Sequence, residues 1–340
     1  MTTRPRTSLP ARTDAAGVRR RSFLGAGISA LPGLAPTRAR AAGFPERPVR
    51  IVVPYSVGVG PDVVARSVAE RLARQWGQPV LVDNQPGASG IVAFGEVRRT
   101  PPDGHTIFLA DTATLAMNPL LHATLPYDVH DLVPLTLLFR ATFLLWVGGE
   151  SRFGSVSALL DAARRAPDRV SYASLGNGHA SHIAIETFAR AADVRMLHVP
   201  FRDAGAMLTS VASNDVDFTA IGMNTAAGLM ARGKLRPIAV AARRRLLAYP
   251  DIPTLPEAGG PAVEMHPWAA LVAVARTPPA ILEQLRRDIG AALDTAEVRG
   301  RAESAGFEIT PSTPQALSER IEADIALYAP LIREGRVARL

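Results

Sequence analysis

The sequence predicts a two-domain α/β fold with a ligand cleft between the lobes. Three observations carry that expectation. Short β-branched strands alternate with helices at spacings that suit βαβ units. A strand–glycine loop–helix junction occurs twice, near residues 51–77 and again near 170–192, each in its own βαβ series. The 340 residues suffice for about two domains, and after the N-terminal leader no apolar run is long enough to span a bilayer.

The first junction sets the pattern. Ile51-Val52-Val53 is a β-branched strand stopped by Pro54. A turn from Tyr55 to Gly60 follows, and a helix starts with Pro61 at its first position and Asp62 in its first turn. Val64, Val68 and Leu72 share one face of that helix, which ends near Gly77. A strand at 79–82, a turn cluster at 84–90, a helix at 91–99 and a strand at 105–110 follow, which implies a parallel sheet. Residues 135–147 are apolar and strand-like. The second series alternates helix 155–166, strand 170–173, helix 181–192, strand 196–199, helix 204–212, strand 216–221, helix 226–232 and strand 237–241. A Pro/Gly-rich connection at 251–267 leads to the apolar run Ala269 to Val274. Two late helices, 278–296 and 314–334, close the chain.

Charge narrows the function classes. The formal net charge is +7, and residues 1–42 hold eight arginines against one acid, Asp14, so the leader carries all of it. The neutral remainder has no electrostatic drive toward nucleic acid. Arg20-Arg21-Ser22-Phe23-Leu24 has a twin-arginine form, a mildly apolar stretch follows, and Ala39-Arg40-Ala41 offers a small-x-small cleavage pattern with cutting near Ala41 or Ala42. Export to a bacterial periplasm is the expectation. The chain has no cysteine, which excludes disulfides, thiolate catalysis and cysteine-based metal sites.

The glycine loops point to an anion. Glycines ahead of a helix N-terminus leave backbone N–H groups to converge on negative charge. Gly58-Val59-Gly60 lacks the third glycine of a dinucleotide loop, and no phosphate-cradling G-x-x-x-x-G-K-[ST] occurs, so a nucleotide is not expected. Two ordinary tight turns without a ligand remain the alternative. His179 and His182 lack a third metal ligand nearby and an H-E-x-x-H pattern; Ser181 as a helix cap beside a hydrogen-bonding His182 is the simpler reading. Asp111, Asp203 and Glu186 show no pairing that marks acid–base chemistry, and no G-x-S-x-G elbow is present.

Several motifs resemble one family. Val53-Pro54-Tyr55-Ser56, with Gly58, Gly60 and Asp62, resembles its "VPFPPGGGTD" loop. Asp83-Asn84-Gln85-Pro86-Gly87-Ala88-Ser89-Gly90 is similar to "VENRPGAGG", and Pro102-Asp103-Gly104-His105-Thr106 to "PDGYT". Leu125-Pro126-Tyr127-Asp128 matches "LPYD". Tyr172 to His182 looks like "YASAGNGTPSH", His198-Val199-Pro200-Phe201 like "HVPY", and Gly233-Lys234-Leu235-Arg236 like "GKLR". The chain from about Phe44 onward thus resembles the Bug family, periplasmic substrate-binding proteins of tripartite tricarboxylate transporters.

The resemblance implies a type II periplasmic-binding-protein fold, a Venus flytrap. One discontinuous domain would combine 44–144 with 268–340, the other would span 145–267, and the crossings would lie near Leu145 and Trp268. A monomer without metal or cofactor would hold a small carboxylate through the backbone amides of both loops and present it to membrane subunits. The implied ligand-binding residues are Tyr55, Ser56, Val57, Gly58, Val59, Gly60, Asp62, Ala88, Ser89, Thr112, Thr114, Ser174, Gly176, Asn177, Gly178, His179, Ser181, His182, Phe201, Met223 and Asn224. Departures from the family pattern are Val57, Val59 and Pro61 for its proline, glycine and threonine, His179-Ala180 for Thr-Pro, Asp203 for glycine, and Ile221 for aspartate. They favour a mono- or dicarboxylate with an apolar, aromatic or amino-acid-like body over a tricarboxylate. A periplasmic ligand sensor signalling to a membrane regulator, and a secreted hydrolase or lyase, are the alternatives.

Overall fold

The structure, a computed structural model, describes residues 43–340, so the expected export leader lies outside the described residues. The strands are β1 (Val49–Val53), β2 (Val80–Asn84), β3 (Thr106–Asp111), β4 (Leu132–Ala141), β5 (Phe143–Gly148), β6 (Ser171–Ser174), β7 (Leu197–Pro200), β8 (Phe218–Gly222), β9 (Leu235–Val240), β10 (Trp268–Val274) and β11 (Phe307–Ile309). The helices are α1 (Gly60–Trp76), α2 (Ile91–Val97), α3 (Asn118–Leu121), α4 (Val156–Arg165), α5 (Ala180–Ala191), α6 (Ala204–Ala212), α7 (Met223–Met230), α8 (Pro279–Leu293), α9 (Ala296–Ser304) and α10 (Pro314–Arg333).

Two sheets form, in the orders β11-β4-β10-β3-β1-β2 and β7-β6-β8-β5-β9. They are mixed, which corrects the parallel-sheet expectation. β1, β2 and β3 run parallel, as do β6, β7 and β8, but β10 is antiparallel to β3 and β4, and β5 to β8 and β9. The antiparallel members adjoin the connections between the sheets. The chain passes from the first sheet to the second between Ala141 and Phe143 and returns before Trp268, while Leu145 lies within β5. The two crossing segments pair with each other: Ala141 N–H donates to Pro267 O at 2.8 Å and Phe143 N–H to Met265 O at 3.1 Å.

Local sequence explains the elements that frame the cleft. α1 begins with Pro61 and Asp62 and ends where Gly77 takes φ 65°, its N–H closing on Ala73 O. Its buried Val64, Val68 and Leu72 pack on one face of the first sheet with Ile51 and Leu271. β10 is buried at all seven positions, because Ala269, Leu271 and Ala273 meet α1 and α8 while Ala270 and Val272 meet the layer of Phe94 and Leu317. The single late helix expected at 278–296 ends at Leu293, and α9 starts beyond Thr295, whose hydroxyl accepts from Val298 N–H.

Gly149 sits against the β9 approach so closely that an added Cβ would lie 2.0 Å from Gly233 O. Gly149→Ala should therefore cost about 2–3 kcal/mol in chemical denaturation, because backbone cannot yield as a side-chain tip can. Gly154→Ala, where the methyl meets nothing within 4 Å, is the matched control and should change stability little.

The second lobe buries an imidazole stack. The rings of His182 and His198 stack nearly parallel with centroids 3.9 Å apart, and His182 Nδ1 accepts from Gly178 N–H at 3.1 Å. Burial pushes His182 from its usual 6.5 down to about 3, helped by His198 and His179. A depressed histidine contributes stability that is present above 6.5 and lost as the pH falls toward the folded value, so His182 should cost about 2 kcal/mol between about pH 8 and pH 5. Glu186 and Asp324, raised by burial, act in the opposite sense. Thermal denaturation across this range should show a smaller acid loss for His182→Asn, which keeps an acceptor for Gly178, than for the native chain; equal slopes would contradict this assignment.

Candidate functional site

The parallel strands of both lobes end at one cleft. β1 and β3 deliver Tyr55 and Asp111 to it, and β6 and β8 deliver His179 and Gly222, as expected where open α/β sheets end. Two adjoining cavities share Tyr55, His179, Ala180, Pro267 and Trp268. The smaller, about 110 Å³, is the polar one, with Ser89, Asp111 and Thr112 in its wall. The larger, about 200 Å³, is walled by Phe139, Phe143, Leu175, Ile221 and Phe307, with Asn224 at its edge.

Asp111 organises the polar end. Its Oδ1 accepts from Thr114 N–H at 2.8 Å and Thr114 Oγ1–H at 2.7 Å, and its Oδ2 accepts from the Tyr55 hydroxyl. Burial, and then the Asp111 charge, raise the Tyr55 phenol well above its usual range, so its proton stays in this bond. Tyr127 OH donates to Thr114 O and Asn118 Nδ2 to Ser89 O, both at 3.0 Å. Ser89 is held at φ 50° between Gly87 and Gly90. Gly90 is required, since a Cβ there would stand 2.4 Å from Thr114 Oγ1.

His179 faces this wall from the other lobe. It is the N-cap of α5, a role the sequence reading gave to Ser181: its Nδ1 accepts from Ser181 N–H at 3.1 Å and lies 2.9 Å from Ser181 Oγ. With Nδ1 taken as acceptor, the ring proton is assigned to Nε2. Burial lowers His179 to about 4 against the opposing pull of Asp111, so the ring is a neutral N–H donor.

The other expected residues distribute unevenly. Thr112 and Gly178 line a third, smaller cavity beside these two. Thr114 stands behind Asp111. Ser56, Val57, Gly58, Val59, Gly60, Asp62 and Ala88 line none of the three, and Val57 is 70% exposed. Gly58 N–H donates to Asp62 Oδ2 at 2.8 Å, and Asp62 also receives Arg66 and Asn84. In the second loop, Leu175 N–H donates to Ser181 Oγ, Gly176 N–H to Ser174 Oγ and Gly178 N–H to His182 Nδ1. These amides tie their own loops, where the sequence reading had them free for a ligand. Short polar side chains capture local N–H groups that would otherwise be left unpaired. Asn177 bonds Ala338 O, and Met223 and Phe201 belong to a hydrophobic cluster of the second lobe.

Sequence reasoning missed Ala180, Trp268 and Phe307 as wall residues and left Asp111 unpaired. The signal for Asp111 was its place at the C-terminal end of a parallel strand.

Comparisons with known proteins agree with this architecture. Residues 64–336 match the model of the tripartite tricarboxylate transporter family receptor. A UPF0065 protein from the tcbD–tcbE intergenic region of Pseudomonas sp. (strain P51) is 31% identical over 327 residues, 95% of this chain and 97% of that one. The structure of R. palustris Rpa4515 with adipate superposes with a TM-score of 0.77 at 30% identity, covering 88% of this chain and 100% of the other. MatC (Rpa3494) from Rhodopseudomonas palustris with bound malate gives 0.72 at 28% identity, covering 85% and 99%. The chain belongs to the tripartite tricarboxylate transporter receptor family, a family of two-lobed substrate-binding receptors and not of enzymes.

Proposed function

We propose that this protein is exported to the periplasm, captures a small carboxylate in the cleft between its two sheets, and delivers it to the membrane subunits of a tripartite transporter. The observation that carries this reading is the shared wall: Tyr55 and Trp268 from one lobe and His179 and Ala180 from the other bound the same space. His179 Nε2–H is a neutral donor for one carboxylate oxygen, and it sits at the start of α5, where the helix dipole favours negative charge. The neighbours solved with adipate and with malate hold small carboxylates, which supports the ligand class. The apolar walls of the larger cavity suit a hydrocarbon or aromatic body.

Residues 44–141 with 268–340 would move as one domain against 143–267, bending near the paired segments at 141–143 and 265–267. Bonds from Asn224 Nδ2 to Ser304 O and from Asn177 Nδ2 to Ala338 O would then be made on closure, giving a monomer a ligand-dependent face for its membrane partner.

Titration calorimetry against mono-, di- and tricarboxylates, followed in parallel by Trp268 fluorescence and melting temperature, tests this. A mono- or dicarboxylate should bind and raise the melting temperature, and His179→Ala should weaken it on the order of tenfold or more. No binding of any carboxylate at about 1 mM, a binding energy near the weak limit for a specific ligand, would reject the proposal. Tight binding of citrate alone would reject the preference for smaller ligands.

A further inference from the structure

We infer that Asp111 makes the cleft selective for a zwitterion: an amino-carboxylate whose ammonium group meets Asp111 while its carboxylate meets His179 across the cavity, with an apolar body in the larger chamber. This rests on the carboxylate reading of the site and specifies the ligand further. Among the described residues lining the two cavities, Asp111 is the one with a charged side chain. His179 does not offset it, being held neutral by burial. Arg140, at the β4 end beside Trp268, is engaged by Glu308 at 2.7 Å.

The donors that reach Asp111 are all neutral. Thr114 supplies two to Oδ1, which fills both of its lone-pair directions, and Tyr55 supplies one to Oδ2, which leaves a second direction there. A partly buried carboxylate gains most from a cationic partner. An ammonium group carries three donors, and Ser89 and Tyr55 stand in the same wall as Asp111 to accept others through their hydroxyl oxygens. A plain dicarboxylate would instead bring a second negative charge into a cavity with no lining cation. The wall is rigid: the Thr114–Tyr127 and Asn118–Ser89 bonds and the Gly90 contact fix Asp111 before any ligand arrives. The hydrocarbon part then falls among Phe139, Phe143, Leu175, Ile221 and Phe307.

Matched pairs test the inference: leucine against 4-methylpentanoate, phenylalanine against 3-phenylpropanoate and aspartate against succinate, with adipate and malate added, each titrated into the native protein and Asp111→Asn. The native protein should bind at least one amino acid on the order of tenfold or more tighter than its des-amino partner, and Asp111→Asn should erase that ratio by weakening the amino acid and tightening the plain carboxylate. Des-amino partners, adipate or malate binding the native protein as tightly as the amino acids would overturn the role of Asp111 and leave the carboxylate reading standing. Binding of neither class would overturn both. The native ratios decide the matter by themselves should Asp111→Asn fold poorly.

Discussion

The site depends on two short segments of backbone that hold each other. Residues 141–143 and 265–267 carry the chain between the sheets, and they are hydrogen-bonded side by side. A single extended crossing would let the sheets twist about it freely. A paired crossing resists that torsion. It also fixes which strand ends confront each other: β1 and β3 on one side, β6 and β8 on the other. Pro267 and Trp268, at the end of this crossing, line both cavities, so the pairing that holds the lobes also borders the cleft.

Once the strand ends face each other, the chemistry follows from what each turn does with its own polar groups. The loop after β6 ties Leu175, Gly176 and Gly178 N–H to Ser181, Ser174 and His182, and the loop after β1 ties Gly58 N–H to Asp62. These bonds stiffen the turns, and side chains from both lobes stand between them. Tyr55, Asp111 and His179 come from three different strand–helix junctions, and each is held by a partner that is itself buried or capped. Buried polar networks of this kind specify one arrangement because a half-satisfied alternative is costly.

How much of this was legible in the sequence depended on the range of the interaction. The helix face of Val64, Val68 and Leu72 and the buried run of β10 are periodic signals written in consecutive residues. The family motifs likewise are local strings. β11 escaped because three residues at a sheet edge carry almost no period. The split between α8 and α9 escaped because Thr295 caps only after Leu293 has ended the preceding helix. Asp111 looked solitary because its partner Tyr55 lies 56 residues earlier and becomes a neighbour only when β1 pairs with β3. The internal bonds of the Gly58, Gly176 and Gly178 amides were not legible for a related reason: glycine positions show where a backbone can turn, while the side chains that then claim its N–H groups depend on the turn itself.

The electrostatics of the cleft follow from the same placement. Its side-chain donors are neutral, among them a phenol already committed to Asp111 and an imidazole N–H, and its one charged wall residue is negative. Each further carboxylate on a ligand adds repulsion from Asp111 and from the other carboxylates and gains no lining cation in return. Three negative charges in this space would also lose part of their water, which raises the cost of each. A ligand of low net charge avoids both penalties and still uses the apolar chamber. Membership of the receptor family therefore fixes the frame, and the side chains at the ends of β1, β3 and β6 fix the charge that a ligand in this cavity would meet.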